Sequence, residues 1–175
     1  VGSFAITEPN SGSDVASMKT FAEDKGDHWL VNGTKMWISG GHVSDVGLLY
    51  AVTEKGKGAK GISCFIVDYN KVPGVTRNPI NTKVGMWSAP TSEMVYENCV
   101  LPKEALLGEL NAGFLICMWQ LNNTRMGCAN GAASLSCAAL EGSVQYAQER
   151  TQFGKPIGKY QLVQEQLCNM KLEDD

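Results

Sequence analysis

Hydrophobic and polar positions alternate over short distances from residue 1 to about 105, and over a longer period after that. In the first stretch, apolar and β-branched runs are broken by turn formers. Val46 to Thr53 and Ile62 to Asp68 read as strands, as do shorter stretches near Val75 and from Met94 to Tyr96, with Val72-Pro73-Gly74 as a turn between. His28 to Val31, Asn32-Gly33, and Thr34 to Ile38 together predict a hairpin, because Asn-Gly supplies the two positive φ angles of a type I′ turn. This spacing argues for an antiparallel barrel or sandwich rather than βαβ units. From Gly108 onward the period is helical. Leu135, Ala139, Leu140, Val144 and Ala147 form one stripe, and Leu162, Val163, Leu167 and Met170 form a second after the break at Phe153-Gly154-Lys155-Pro156. The chain therefore reads as α+β, with a β domain over 1–107 and the opening of a helix bundle over 108–175. Neither Val1-Gly2-Ser3-Phe4 nor Lys171-Leu172-Glu173-Asp174-Asp175 carries capping or turn chemistry, so the sequence is expected to be an internal piece of a longer protein.

Composition narrows the function classes. In 175 residues, 15 Lys and Arg stand against 18 Asp and Glu, without a block of like charges, which removes an electrostatic nucleic-acid footprint. The uncharged runs on either side of Arg125 are shorter than the ~20 apolar residues a membrane span needs and carry Asn, Ser or Gln. The six cysteines include no C-x-x-C pair and lie far in sequence from His28 and His42, so no zinc site is expected, and free thiols in a reducing compartment are. Asn32-Gly33-Thr34 and Asn122-Asn123-Thr124 match a glycosylation sequon but lack a secretory context. Gly56-Lys57-Gly58-Ala59-Lys60-Gly61 matches G-x-G-x-x-G letter for letter. A strand follows it where a dinucleotide fingerprint needs a helix N-terminus, so it reads as a connection between strands.

Four segments could carry chemistry. Thr7-Glu8-Pro9-Asn10-Ser11-Gly12-Ser13-Asp14 concentrates loop formers and hydroxyls, able to turn several donors toward a phosphate or polar heterocycle, though such clusters also make plain surface turns. Met36-Trp37-Ile38-Ser39 sets an aromatic beside a hydroxyl at a strand end, where core packing is the alternative. Glu149-Arg150-Thr151-Gln152-Phe153-Gly154 closes a long helix with a cation, either complementing the helix dipole or reaching a phosphate with a planar fork. Leu121-Asn122-Asn123-Thr124-Arg125 interrupts the helical region with polar groups; a buried arginine there would need an anionic partner.

Taken together and in this order, these segments resemble the acyl-CoA dehydrogenase family. The match includes Ile6-Thr7-Glu8-Pro9-x-x-Gly12-Ser13-Asp14, Asn32-Gly33-x-Lys35-x-Trp37-Ile38-Ser39, Val100-x-Pro102-x-Glu104, Thr124-Arg125, and Glu149-Arg150-x-x-Phe153-Gly154-Lys155-Pro156-Ile157. The resemblance runs along nearly the whole chain. It implies the family's antiparallel middle β-barrel domain followed by the first helices of its C-terminal bundle.

The resemblance also implies an FAD site. Phe4, Ile6 and Thr7 match the strand whose backbone and hydroxyl contact the flavin, and Ser13 the hydroxyl where FAD meets the CoA arm. Trp37 matches the aromatic that walls the flavin, and Ser39 the hydroxyl near its N5, a departure from the Thr of many relatives. Arg150, Gln152 and Phe153 match a segment that reaches FAD from a neighbouring subunit, and Gln161 a further cofactor contact, so a homo-oligomer, a tetramer, is implied. Asn122 and Arg125, with Ser13, match positions that hold the CoA portion of the substrate. The implied reaction is α,β-dehydrogenation of an acyl-CoA thioester: a carboxylate takes the α-proton, the β-hydride goes to the flavin, and electrons leave to an electron-transferring flavoprotein. Some relatives carry the catalytic glutamate where this chain has Thr124, so the base is expected beyond Asp175, and Glu8, Glu141, Glu149 and Glu165 are expected in solvated, structural or helix-dipole roles. The Leu121–Arg125 segment looks closer to glutaryl-type and related enzymes, including those acting on cyclic or aromatic-pathway acyl-CoAs, than to straight-chain ones. The implied compartment is the bacterial cytoplasm or the mitochondrial matrix. Alternatives are an acyl-CoA oxidase, a reductase working in reverse, a base-less binding or assembly subunit, and a flavin-free β-barrel binding module.

Overall fold

A computed structural model describes residues 1–174. The chain divides into two compact units, Val1–Met118 and Trp119 onward. The first holds eight strands: β1 (Gly2–Ala5), β2 (Phe21–Asp24), β3 (His28–Ser39), β4 (Val46–Val52), β5 (Ile62–Asp68), β6 (Val75–Pro79), β7 (Thr91–Pro102) and β8 (Leu106–Leu107). They form one sheet in the order β6-β7-β3-β2-β4-β5-β8, with β1 also on β4. The apolar runs of β4 and β5 pair along their full length, Val46 with Asp68 through Val52 with Ile62. Leu49, Ala51, Phe65 and Val67 from these strands join Trp29, Val31, Met94, Tyr96 and Leu101 in one core. Trp29 meets Phe65 edge-on at 5.3 Å between ring centroids, and each large apolar side chain so buried contributes roughly 1.5–3 kcal/mol. β5 follows directly on the short helical turn at Gly58–Gly61, as the rejection of a dinucleotide fingerprint requires.

Two details depart from the expected pattern. The sheet is not wholly antiparallel: β1 pairs with β4 in parallel, and β2 touches the same strand in parallel at Phe21 and Val52. β1 and β2 are therefore two pieces of one sheet position between β3 and β4, and residues 6–20 loop out between them. Nor is Asn32-Gly33 a hairpin turn. β3 runs straight through it, and the β2–β3 connection is Lys25-Gly26-Asp27, with Gly26 at φ 93°. Asn32 instead faces a bulge in β7, where its amide oxygen accepts from the Asn98 N–H at 2.8 Å and Asn98 sits at φ 47°. Gly33 is needed for close approach, since a Cβ there would lie 2.4 Å from the Thr20 Oγ1.

The second unit holds most of α1 (Gly113–Glu149), a small hairpin of β9 (Thr151–Gln152) and β10 (Lys155–Pro156), and α2 (Gln161–Asp174). α1 is unbroken, so Leu121–Arg125 does not interrupt it. The Asn123 amide and the Thr124 hydroxyl donate instead to carbonyls one turn back, Trp119 O and Gln120 O, each at 3.0 Å. Of the two predicted stripes, Ala147 is buried, while Leu135 is 72% exposed and Leu162 78%. Tyr146, Ala147, Val163, Leu167 and Met170 line an open apolar groove of about 440 Å³. The Phe153-Gly154 break is a two-residue β-turn with φ angles of 50° and 79°, the type I′ geometry. All six cysteines are free thiols. Among the described residues no helix is long and apolar enough to cross a membrane.

Candidate functional site

The site is built around the 6–20 excursion. Glu8 and Ser11 exchange backbone hydrogen bonds, Glu8 N–H to Ser11 O at 2.9 Å and Ser11 N–H to Glu8 O at 3.2 Å, which puts Pro9-Asn10 at the tip of a tight turn. The Ser11 and Ser17 hydroxyls both donate to the Asp14 carbonyl, and a single helical turn at Val15–Ser17 brings the chain back. Ser13 is exposed on this return, and Thr7 is half-buried at the departure.

Beneath the excursion lies a buried ion pair. Lys35 projects from β3 into the interior and is completely buried. Its ammonium donates to Glu8 Oε1 at 2.9 Å, to Ile6 O at 3.1 Å and to Met18 Sδ at 3.8 Å. The Glu8 carboxylate also accepts from the Lys19 N–H at 2.6 Å and the Thr20 N–H at 2.9 Å. Burial pushes the Lys35 ammonium down to about 8, with Glu8 pulling it back up. Burial raises the Glu8 carboxyl, but the Lys35 charge and the donated hydrogen bonds outweigh it and hold the group below its ordinary value. Glu8 is therefore structural. The sequence singled out Lys35 only as a motif letter; the available signal was an acid in the first motif and a base two residues before the Trp37-Ile38 pair of the second.

Next to this pair, β3 carries one extra residue. Lys35 faces Met94 but Ile38 faces Ser92, so three steps on β3 match two on β7. Trp37 takes up the excess at φ 62° and is 58% exposed, which removes the core-packing alternative within this chain. Ser39, two residues on, is also exposed, whereas Ile38 between them is buried. The bulge is tied to the excursion by the Met36 N–H, which donates to Thr7 O at 2.8 Å. Phe4 lies on β1 with its ring against Tyr50 at 5.1 Å, and Ile6 is buried with its carbonyl held by Lys35.

The remaining predicted residues lie in the second unit. Arg150 follows the last residue of α1, and its N–H donates to Tyr146 O at 2.8 Å. Gln152 and Phe153 stand on the hairpin around Tyr160, whose hydroxyl donates to Gln152 O at 3.0 Å and whose ring meets Phe153 edge-on. Gln161 opens α2 immediately after Tyr160. Phe153 is 93% exposed despite that edge contact with Tyr160. Asn122 and Arg125 form a separate cluster, about 40 Å back along α1 from Arg150 at ~1.5 Å per residue. Arg125 is not buried, as the sequence suggested. It is exposed, and its guanidinium donates to Asn122 Oδ1 at 2.7 Å, one helical turn away.

Comparison with known proteins bears on this arrangement. The family described as acyl-CoA dehydrogenase, middle domain, matches residues 3–99, and that described as acyl-CoA dehydrogenase, C-terminal domain, matches residues 111–174. The chain belongs to the acyl-CoA dehydrogenase family. Glutaryl-CoA dehydrogenase of Desulfococcus multivorans is 43% identical over 173 residues, which is 99% of this chain and 44% of the relative. A solved glutaryl-coenzyme A dehydrogenase in complex with glutaryl-CoA superposes with a TM-score of 0.90 at 42% identity, over 98% of this chain and 43% of the other. A chain of a structure described as the electron transferring flavoprotein of Acidaminococcus fermentans gives a TM-score of 0.90 at 38% identity, over 99% of this chain and 46% of that one. The chain thus spans less than half the length of the relatives it matches.

Proposed function

We propose that the intact protein is an FAD-dependent dehydrogenase that oxidises an acyl-CoA thioester between its α and β carbons. The observation that carries the reading is the pairing of two features in one family framework. An indole held out of the sheet by a bulge stands beside a compact loop of hydroxyls, both anchored to the same strand. This donor set fits a flavin: a flat aromatic wall at Trp37 and hydroxyls at Thr7, Ser13 and Ser39 for the polar edge of a heterocycle, with the exposed Arg150 of a neighbouring copy for the pyrophosphate. When bound, FAD supplies the hydride acceptor and the store of electrons that an electron-transferring flavoprotein then drains.

The chain's own residues divide the remaining work. Trp37 shields one face of the reacting region from water, while Phe4, Ile6 and Thr7 hold the ring edge through backbone and hydroxyl. Ser13, Asn122 and Arg125 grip the CoA portion, with Asn122 holding the Arg125 fork in a set orientation. Arg150, Gln152, Phe153 and Gln161 complete the cofactor site of a neighbouring copy, so the functional unit is a homo-oligomer, a tetramer. Thr124 donates its hydroxyl to a helix carbonyl and does not act as a base at neutral pH. The α-proton therefore goes to a carboxylate outside residues 1–175. Glutaryl-type or cyclic acyl-CoAs are the favoured substrate class, and the reading places the protein in the bacterial cytoplasm or the mitochondrial matrix.

The test is a visible absorption spectrum of the full-length protein, taken without oxygen before and after adding a panel of acyl-CoAs. A flavin spectrum that bleaches with one thioester supports the reading and names the substrate class. Absence of flavin overturns it.

A further inference from the structure

The three hydrogens of the Lys35 ammonium go to three points of one loop: Ile6 O at its start, Glu8 next to its turn, and Met18 Sδ at its return. Glu8 extends the same junction to the Lys19 and Thr20 N–H groups, where β2 begins. Thr7 lies between two residues that grip one ammonium, and its own carbonyl is held by the Met36 N–H. The stretch from Ile6 to Glu8 is therefore fixed on both sides, and the loop that carries Ser13 is tied at both of its ends. A buried ion pair adds little net stability over an apolar pair of similar volume. The sheet around it is already filled by Val31, Ile38, Leu49 and Met94. What an apolar pair could not do is join the two ends of the excursion at one point.

We propose that Lys35 is a positioning residue for cofactor binding: by gathering Ile6, Glu8 and Met18 around one ammonium, it sets Thr7 and the Ser13 turn in the shape that holds the flavin. This inference rests on the flavin site of the proposed function. Lys35 itself touches no cofactor; it acts through the loop.

The experiment compares the full-length wild type, Lys35→Met, and the double variant Glu8→Gln with Lys35→Met. FAD affinity is titrated by fluorescence on flavin-stripped protein, and the melting temperature of each stripped protein is measured alongside. Lys35→Met leaves Glu8 buried without its counter-charge and should lower both. The double variant removes that charge, so its melting temperature should return toward wild type while its FAD dissociation constant stays at least tenfold weaker. Recovery of both quantities overturns the proposal, as does a double variant that does not fold, because the pair is then an element of folding alone. A wild type that binds no FAD brings down the proposed function, and this inference with it. A flavin-binding wild type matched by the double variant brings down only this inference.

Discussion

The backbone of Thr20 lies directly on Gly33: a Cβ at residue 33 would stand 2.6 Å from the Thr20 Cα, inside any permissible contact. Gly33 also sits at φ 152°, where a side chain is strained. This contact lets the returning end of the excursion drop onto β3 before β2 starts. Gly33→Ala should therefore cost about 2–3 kcal/mol, the scale of a forced backbone shift in a packed region, read from urea denaturation midpoints. A change under about 0.5 kcal/mol would mean that the loop is free to lift away.

Glu8 and Lys35 leave opposite signatures against pH. The folded-state pKa of Glu8 lies below 4.5, so its contribution is full above that value and is lost as pH falls through the lower folded one. Lys35 is pushed down from 10.5 to about 8, so the unfolded chain holds the proton longer, and this group's cost to folding is relieved as pH rises between those values. Urea midpoints should thus show wild type gaining on the Glu8→Gln, Lys35→Met double variant between pH 7.5 and pH 9.5, and losing ground to it below pH 4.5. Parallel profiles would contradict both assignments.

Trp37 is expected to be dispensable for the fold. It is exposed and strained at φ 62°, and glycine would relieve about 1 kcal/mol of that strain. Trp37→Gly in flavin-stripped protein should therefore melt within a few degrees of wild type or above it, while holding FAD more weakly and with an altered visible spectrum. A large loss of stability would return the indole to a packing role.

The two arginines should separate cleanly. Arg125→Ala is expected to raise KM for acyl-CoA or lower turnover with flavin content unchanged, because its guanidinium is exposed and held by Asn122 alone among the described residues. Arg150→Ala should lower flavin retention more than melting temperature. Flavin loss from Arg125→Ala, or none from Arg150→Ala, would exchange or cancel these roles.

The readable parts of the sequence were those governed by local periodicity. The β4 and β5 runs pair as read because continuous apolar strands leave no alternative face. The glycine run before β5 was readable because a strand, not a helix, follows it. Asn32-Gly33 misled for a physical reason: the same dipeptide that favours a turn also serves where one residue must bond a bulge and the next must admit a neighbouring backbone. The parallel contact of β1 and β2 with β4 depends on partners far along the chain, and nothing local encodes it. Arg125 looked buried because its neighbours are apolar, but residues 122–139 of α1 are exposed, the apolar ones included. The Lys35–Glu8 junction spans 27 positions, and only the fold brings its two members together.

Because β1 and β2 share one sheet position, the 6–20 excursion is an insertion into what is otherwise a single interrupted strand. Its ends are fastened at Ile6, Glu8, Met18 and Thr20, so the residues between Pro9 and Ser17 can be exchanged without shifting a single pairing of the sheet. The arrangement separates inheritance of the framework from variation of the site. A change within residues 9–17 is then read out in what the loop holds, not in the register of the strands beside it.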